Sequence, residues 1–221
     1  MIKHTEAAVL YETNSDLVVE NLNLAAPGPK EVFVQMGAAG VCHSDVHVIS
    51  GQANQIMPCV LGHEGAGLVI SIGKEVNNVS VGDHVVLSWL PYCGKCYQCV
   101  RGKTHLCKAY QTPVGNGTLL DGSCRFSNLE GPVRQLGSLG CWSENVVVPE
   151  VCCVPVDKSI PFEIAALLGC AVTTGVGAVL NRAKVQNGET VVVIGAGGVG
   201  LSVVMAAKLK GASQIICIDQ N

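Results

Sequence analysis

Four cysteines crowd into one short run, Cys93-Gly-Lys-Cys96-Tyr-Gln-Cys99-Val-Arg-Gly-Lys-Thr-His-Leu-Cys107, at offsets of 3, 3 and 8 residues. A loop so short and so dense in thiols can close around one tetrahedral metal ion, each pair spanning one knuckle. Zinc is the default ion, because four thiolates suit it and it asks for no redox chemistry. An iron–sulfur centre is the alternative for the same ligand type. Four protein ligands leave no position for a substrate, so such a site holds structure and the chemistry must lie elsewhere.

The run also decides how the rest of the cysteine content is read. Twelve Cys in 221 residues could belong to a secreted disulfide scaffold. The N-terminus, Met1-Ile-Lys-His-Thr-Glu, is polar and is no secretory signal. Clustered thiols without a signal point to a reducing, cytoplasmic setting with metal-bound thiolates. Cys59, Cys124, Cys141, Cys152, Cys153 and Cys217 then read as small core hydrophobes. A net charge of −3 with no basic tract argues against a nucleic-acid partner. The longest apolar stretches contain Gly and are expected to fall short of a membrane span.

The first half of the chain reads as β-rich, with strands expected over Glu6–Tyr11, Leu17–Leu22, Glu31–Gly37, Gly65–Ile72, His84–Ser88 and Ser143–Val148. Cys93 to about Gly140 reads as a metal-organised lobe followed by a long loop. Near Pro161 the pattern changes to helices over Pro161–Leu168 and Thr173–Asn181. An apolar strand Thr190–Ile194, a helix Val199–Lys210 and a second strand Gln214–Ile218 then make a βαβ unit, the start of a parallel sheet. Two parallel strands and one helix do not cover both faces of a sheet, so more protein is expected to follow.

Gly195-Ala-Gly197-Gly198-Val199-Gly200 sits between that strand and helix, and Asp219 ends the next strand. This is the arrangement that lets a pyrophosphate approach the backbone at a helix N-terminus. Asp219 would accept from the adenosine ribose hydroxyls. A 2′-phosphate would be repelled there, and Gln220 and Asn221 supply no cation, so NAD is expected over NADP. Two further clusters precede the four-Cys run: Gly40-Val-Cys42-His43-Ser44-Asp45-Val-His47 and Gly62-His63-Glu64-Gly65-Ala-Gly67. Cys42 and His63 are metal ligands by type, and another thiol follows at Cys170. Three protein ligands with one open position make a catalytic zinc site. Spacing alone does not join positions so far apart.

The chain resembles the zinc-containing medium-chain alcohol dehydrogenases. The resemblance rests on Gly62-His63-Glu64-x-x-Gly67-x5-Gly73-x2-Val76, on the four-Cys run and on the glycine fingerprint, in that order along the chain. It implies a β-rich GroES-like catalytic domain over residues 1–171, with the structural-zinc lobe at about 90–110. The start of an α/β Rossmann domain, a doubly wound parallel sheet, follows over 172–221. Cys42, His63 and Cys170 match the catalytic zinc ligands, and Cys93, Cys96, Cys99 and Cys107 the structural ones. Glu64 matches a carboxylate behind the catalytic zinc, and Asp45 the carboxylate that orients His63. Ser44 matches the hydroxyl that takes the substrate proton, and His47 the outer end of the proton relay. His43 falls where a basic group meets the pyrophosphate, Thr174 and Val199 beside the nicotinamide, and Trp89 at a substrate-pocket wall. Trp89 and Val199 also read as core, and His43 as merely exposed.

The implied activity is hydride transfer between a primary or secondary alcohol and NAD, reversible to aldehyde or ketone reduction. A bound zinc would favour the deprotonated alcohol, and His47 has a suitable ordinary pKa for proton exit. The alternative substrate is the glutathione adduct of formaldehyde. Members with that activity are expected to carry Arg four residues after the last structural Cys, where this chain has Gln111. Arg125 does not separate the two. A sugar-alcohol dehydrogenase would usually replace the third ligand by Glu, against Cys170, and a zinc-free quinone reductase would lack the four-Cys lobe. A non-enzymatic zinc-binding module is the reading from another class; it needs one metal per chain instead of two. A homo-oligomer is expected for the full-length protein.

Overall fold

The computed structural model describes residues 3–220. Met1, Ile2 and Asn221 lie outside the described residues, and with Asn221 part of the sequence argument on cofactor choice. The chain divides into two compact units, Met1–Ala166 and Leu167–Asn221.

The first unit contains β1 (Lys3–Leu10), β2 (Val18–Leu24), β3 (Glu31–Ala39), α1 (His43–Ile49), β4 (Cys59–Val60), β5 (Gly65–Ile72) and β6 (His84–Leu87). After the cysteine lobe come α2 (Gln111–Gly115), β7 (Phe126–Ser127), β8 (Pro132–Gln135), β9 (Asn145–Pro149) and β10 (Cys153–Val156). Five strands close a small barrel in the order β1-β2-β7-β8-β4, and five form a sheet in the order β10-β6-β5-β3-β9. β1 shows the alternation that a strand with one buried face requires: Thr5, Ala7 and Val9 point inward and His4, Glu6 and Ala8 away. Val32, Phe33 and Val34 of β3, Val146–Val148 of β9 and Val69 of β5 pack with the barrel residues Val9, Leu22, Leu24, Phe126 and Val133 in one continuous core. The sheet and barrel therefore bury each other's apolar faces, which is what holds the loops between them in place.

Two expectations are corrected here. The stretch after the cysteine lobe is not simply a long loop, because β7 and β8 close the barrel. The sequence pattern hides them because each is short and its partners are remote: Phe126 pairs with Leu24, and Arg134 with Cys59. The glycines after Pro161 also fail to interrupt the helix. One helical run, Phe162–Ala183, is 22 residues long and is long and apolar enough, by length and composition, to cross a membrane. Core helices of soluble proteins meet the same criterion. The run alternates α-helical turns, α3 (Phe162–Leu167) and α4 (Thr173–Gly177), with wider π-helical ones at Leu168–Val172 and Ala178–Ala183.

In the second unit β11 (Thr190–Ile194) and β12 (Gln214–Ile218) pair in parallel, Thr190 opposite Gln214 and Ile194 opposite Ile218. Helix α5 (Gly198–Leu209) connects them. Ala206 is buried with Val179 and Val185, and Val191 and Val203 pack against them.

Candidate metal centres and nucleotide loop

The four-Cys run folds as a chain of single turns, Cys99–Arg101 and Thr104–Leu106 among them. The sulfurs converge: Cys96 lies 3.5 Å from Cys99 and 3.9 Å from Cys107, and Cys93 lies 4.0 Å from Cys99. All four fall within 4.8 Å of one another, and none is in a disulfide. Tetrahedral zinc with Zn–S bonds of about 2.3 Å needs sulfurs about 3.8 Å apart, so the donor set fits that ion. The backbone prepares the thiolates. The N–H of Cys96 donates to Cys93 Sγ at 3.3 Å and that of Cys93 to Cys107 Sγ at 3.4 Å. Backbone hydrogen bonds, the Cys99 N–H first among them, bring the Cys96 thiol down to about 6. The Lys95 N–H lowers Cys93 in the same way.

A second cluster forms between the start of α1 and the turn entering β5. Cys42 is the N-cap of α1, with extended backbone. Its N–H donates to Asp45 Oδ2 at 3.0 Å, which satisfies a donor left open by the first turn. The other oxygen of the same carboxylate accepts from the Gly62 N–H and from His63 Nδ1, both at 3.1 Å. Asp45 is fully buried. An ionised carboxylate only accepts, so the His63 proton belongs on Nδ1 and Nε2 keeps its lone pair for a metal. The Cys42 thiol, a His63 nitrogen and a Glu64 carboxylate oxygen lie within 4.8 Å of one another. Burial raises the Cys42 pKa, but hydrogen bonds from the Ser44 N–H and hydroxyl, together with the neighbouring His63 ring, outweigh it and leave the thiol below its ordinary value.

The glycines of the Gly62-to-Val76 motif have local reasons. Gly62 has φ of +87° and packs on Trp142, where a Cβ would come 2.4 Å from the ring. A Cβ on Gly67 would meet the Gln35 carbonyl of β3 at 2.2 Å, so the β3–β5 pair needs it bare. Val76 closes the motif in the core.

Around this cluster, His43 and His47 stand one turn apart on α1 with rings 4.7 Å apart, edge to face. Ser44 is exposed between them. Trp89 presents its ring to His63 at 6.2 Å, nearly perpendicular. Trp89, Leu90, Tyr110, Gln111 and Val114 line a cavity of about 350 Å³ beside the cysteine lobe. Arg125 does not face it: its guanidinium pairs with Glu31 through two bonds of 2.8 and 2.6 Å and with Asp121 at 2.9 Å.

Cys170 and the nucleotide residues belong to the second unit. Cys170 is half-buried in the π-helical turn Leu168–Val172, and its carbonyl accepts from Thr173 Oγ1 at 3.1 Å. Such turns are frequent at functional sites. Thr174 is exposed, as is Val199 at the first turn of α5. In the loop Gly195–Gly200, a Cβ on Gly200 would lie 1.8 Å from the Gly195 carbonyl oxygen, so only glycine permits this entry to the helix. Gly197 is the N-cap of α5 and Gly198 its first residue. Asp219 Oδ2 accepts a short hydrogen bond from the Ala196 N–H, and Oδ1 accepts from the Gln220 N–H at 2.7 Å. The carboxylate expected to meet the ribose thus also holds the glycine loop, a contact that the spacing did not announce.

Comparison with known proteins places this architecture. Residues 28–158 match the family described as the alcohol dehydrogenase GroES-like domain. The chain belongs to the zinc-containing medium-chain alcohol dehydrogenase family. It is 46% identical over 217 residues to an S-(hydroxymethyl)glutathione dehydrogenase of Saccharomyces cerevisiae, which covers 97% of this chain and 56% of that protein. An alcohol dehydrogenase zinc-binding domain protein from Burkholderia ambifaria superposes with a TM-score of 0.93 at 34% identity, covering 99% of this chain and 60% of the other. Benzyl alcohol dehydrogenase from Acinetobacter calcoaceticus gives 0.90 at 37%, covering 98% and 59%. The chain thus spans a little over half the length of the relatives it matches.

Proposed function

We propose that this chain carries the catalytic-zinc and nucleotide-loop portion of an NAD-dependent alcohol dehydrogenase. The observation that carries the reading is the meeting of the Cys42 thiol, the His63 imidazole and the Glu64 carboxylate, with Asp45 behind His63. In this reading Cys170 is the third protein ligand and the four-Cys lobe is structural. The domains are a GroES-like domain over 1–171 and the first part of a Rossmann domain over 172–221. Two zinc ions and NAD are the cofactors, the location is cytoplasmic and the full-length protein is a homo-oligomer.

When bound, zinc supplies Lewis-acid stabilisation of an alcohol's deprotonated form. The remaining chemistry falls to side chains. Ser44 accepts the substrate proton and His47 releases it to solvent, the role of a general acid–base pair. Trp89 walls the substrate space. Gly195, Gly197, Gly198 and Gly200 leave room for the pyrophosphate with His43 as its basic contact. Thr174 and Val199 flank the nicotinamide, and Asp219 selects NAD by accepting from the ribose hydroxyls.

A second reading is favoured by the yeast relative, an S-(hydroxymethyl)glutathione dehydrogenase. Against it stands Gln111, uncharged, in the cavity beside Trp89. One experiment addresses both readings. The full-length protein is assayed for zinc content and for NAD reduction, first with simple alcohols and then with formaldehyde plus glutathione. Two zinc ions and turnover with simple alcohols are expected. Turnover only with glutathione present would select the second substrate. One zinc and no turnover would leave the non-enzymatic zinc module. A native preference for NADP would overturn the role given to Asp219.

A further inference from the structure

Gly40 ends the segment that delivers Cys42, and three contacts hold it. Its N–H donates to the Glu64 carbonyl at 2.9 Å. Its own carbonyl accepts from Trp142 Nε1 at 2.9 Å. The third contact is steric: a Cβ at this position would lie 2.2 Å from Glu64 Oε2 and 3.0 Å from Glu64 Cβ. Backbone conformation does not require glycine here, since Gly40 is not among the residues with positive φ. What requires it is the space taken by a carboxylate.

That carboxylate is part of the cluster with Cys42 and His63. Glu64 is only 2% exposed, so it has little freedom to swing away into solvent. A methyl group on Gly40 would have to displace either the carboxylate or the Gly40 backbone. The first moves an acid beside the metal ligands. The second moves a segment that reaches Cys42 two residues later. The first changes what stands against the thiol and imidazole, and the second changes the spacing between them, since the Gly40 N–H is hydrogen-bonded to the Glu64 carbonyl beside His63.

We propose that Gly40 is a positioning residue of the Cys42–His63 metal site, which sets the resting place of the Glu64 carboxylate against the ligand pair. The inference rests on the reading of that pair as a zinc site. The test is zinc affinity of the full-length protein, by competition with a chromophoric chelator, for wild type, Gly40→Ala, Glu64→Asp and the double variant. Gly40→Ala is expected to weaken the Cys42–His63 site about 10–100-fold, the usual scale for residues supporting metal ligands, with the four-Cys site unchanged as an internal control. Glu64→Asp shortens the acid by one methylene and should restore most of the loss in the Gly40→Ala background. Loss confined to the Cys42–His63 zinc, with the four-Cys zinc still held, separates this from a general structural defect. If wild type holds only the four-Cys zinc, the metal-site reading fails and this inference with it. If wild type holds two zinc ions and Gly40→Ala binds both as tightly, the inference alone fails. Should Gly40→Ala not fold, a folded, two-zinc double variant supports the inference and an unfolded one overturns it.

Discussion

Ser44 touches two parts of the site at once. Its hydroxyl is placed by the proposed mechanism on the substrate proton, and it also hydrogen-bonds the Cys42 thiol. Ser44→Ala is expected to lower turnover about 10²–10⁴-fold with zinc retained. Metal content measured on the same samples keeps proton transfer apart from loading, and unchanged turnover with chemistry rate-limiting would remove Ser44 from the mechanism. Tyr11, hydrogen-bonded to Glu20 and Asn128, supplies a pH handle outside the cluster. Burial, then the hydrogen bond its hydroxyl donates to Glu20, push it up to about 12. The unfolded chain ionises its tyrosines near 10, so between about 10 and 12 the folded state holds a proton that the unfolded state has lost. This contribution is present below pH 10 and disappears as pH rises toward 12. Ultraviolet titration should show a phenolate step near pH 12 that is absent from Tyr11→Phe.

At the scale of elements, Gln135 is the brace between barrel and sheet. It is fully buried on β8. Its amide donates to the Leu139 carbonyl at 3.1 Å and to the Val147 carbonyl of β9 at 3.2 Å, and its oxygen accepts from the Arg125 N–H at 3.2 Å. Gln135→Leu removes three hydrogen bonds from a place closed to water, and should lower unfolding free energy by about 1–3 kcal/mol in urea titration. This brace, like β4, β7 and β8, is invisible to local pattern, because pairs such as Cys59 with Arg134 carry no periodicity of their own. Strands with their own pattern read well: β5, β11 and β12 fall at the bounds that their β-branched runs mark out. The four thiols were legible because one loop carries them all. Cys42 and His63 were joined only by family resemblance, since the device that brings them together is a buried Asp45 serving two segments. The start of α1 did carry a signal, a cap position at Cys42 with Asp45 three residues on, masked by the metal-binding character of the same residues.

At the scale of the whole molecule, the second unit leaves much apolar surface open. Ile194 is 84% and Leu209 87% exposed, and Val192, Leu201, Met205, Ile216 and Ile218 are exposed with them. Leu201, Met205 and Leu209 recur every four residues and so share one face of α5. Contiguous apolar patches and open sheet edges favour association. A protein of these 221 residues is expected to bind a hydrophobic dye and to self-associate in light scattering. Ile194→Lys with Leu209→Lys should reduce both the dye signal and the particle size. A monodisperse monomer without dye binding would contradict the expectation.

The single carboxylate of Asp45 finishes a helix, grips the Gly62 amide and aims an imidazole. Three tasks on one group cannot be separated in time. Whatever frays the first turn of α1 also releases the ring of His63, so at the proposed zinc site metal uptake and the ordering of this corner are expected to form one cooperative event. The affinity of such a site for zinc would then contain the folding free energy of the helix start. On the proposed reading, substitutions along α1 that touch no ligand are expected to retune metal binding, and the ion in turn to act as a clasp on the segment from Cys42 to Ile49.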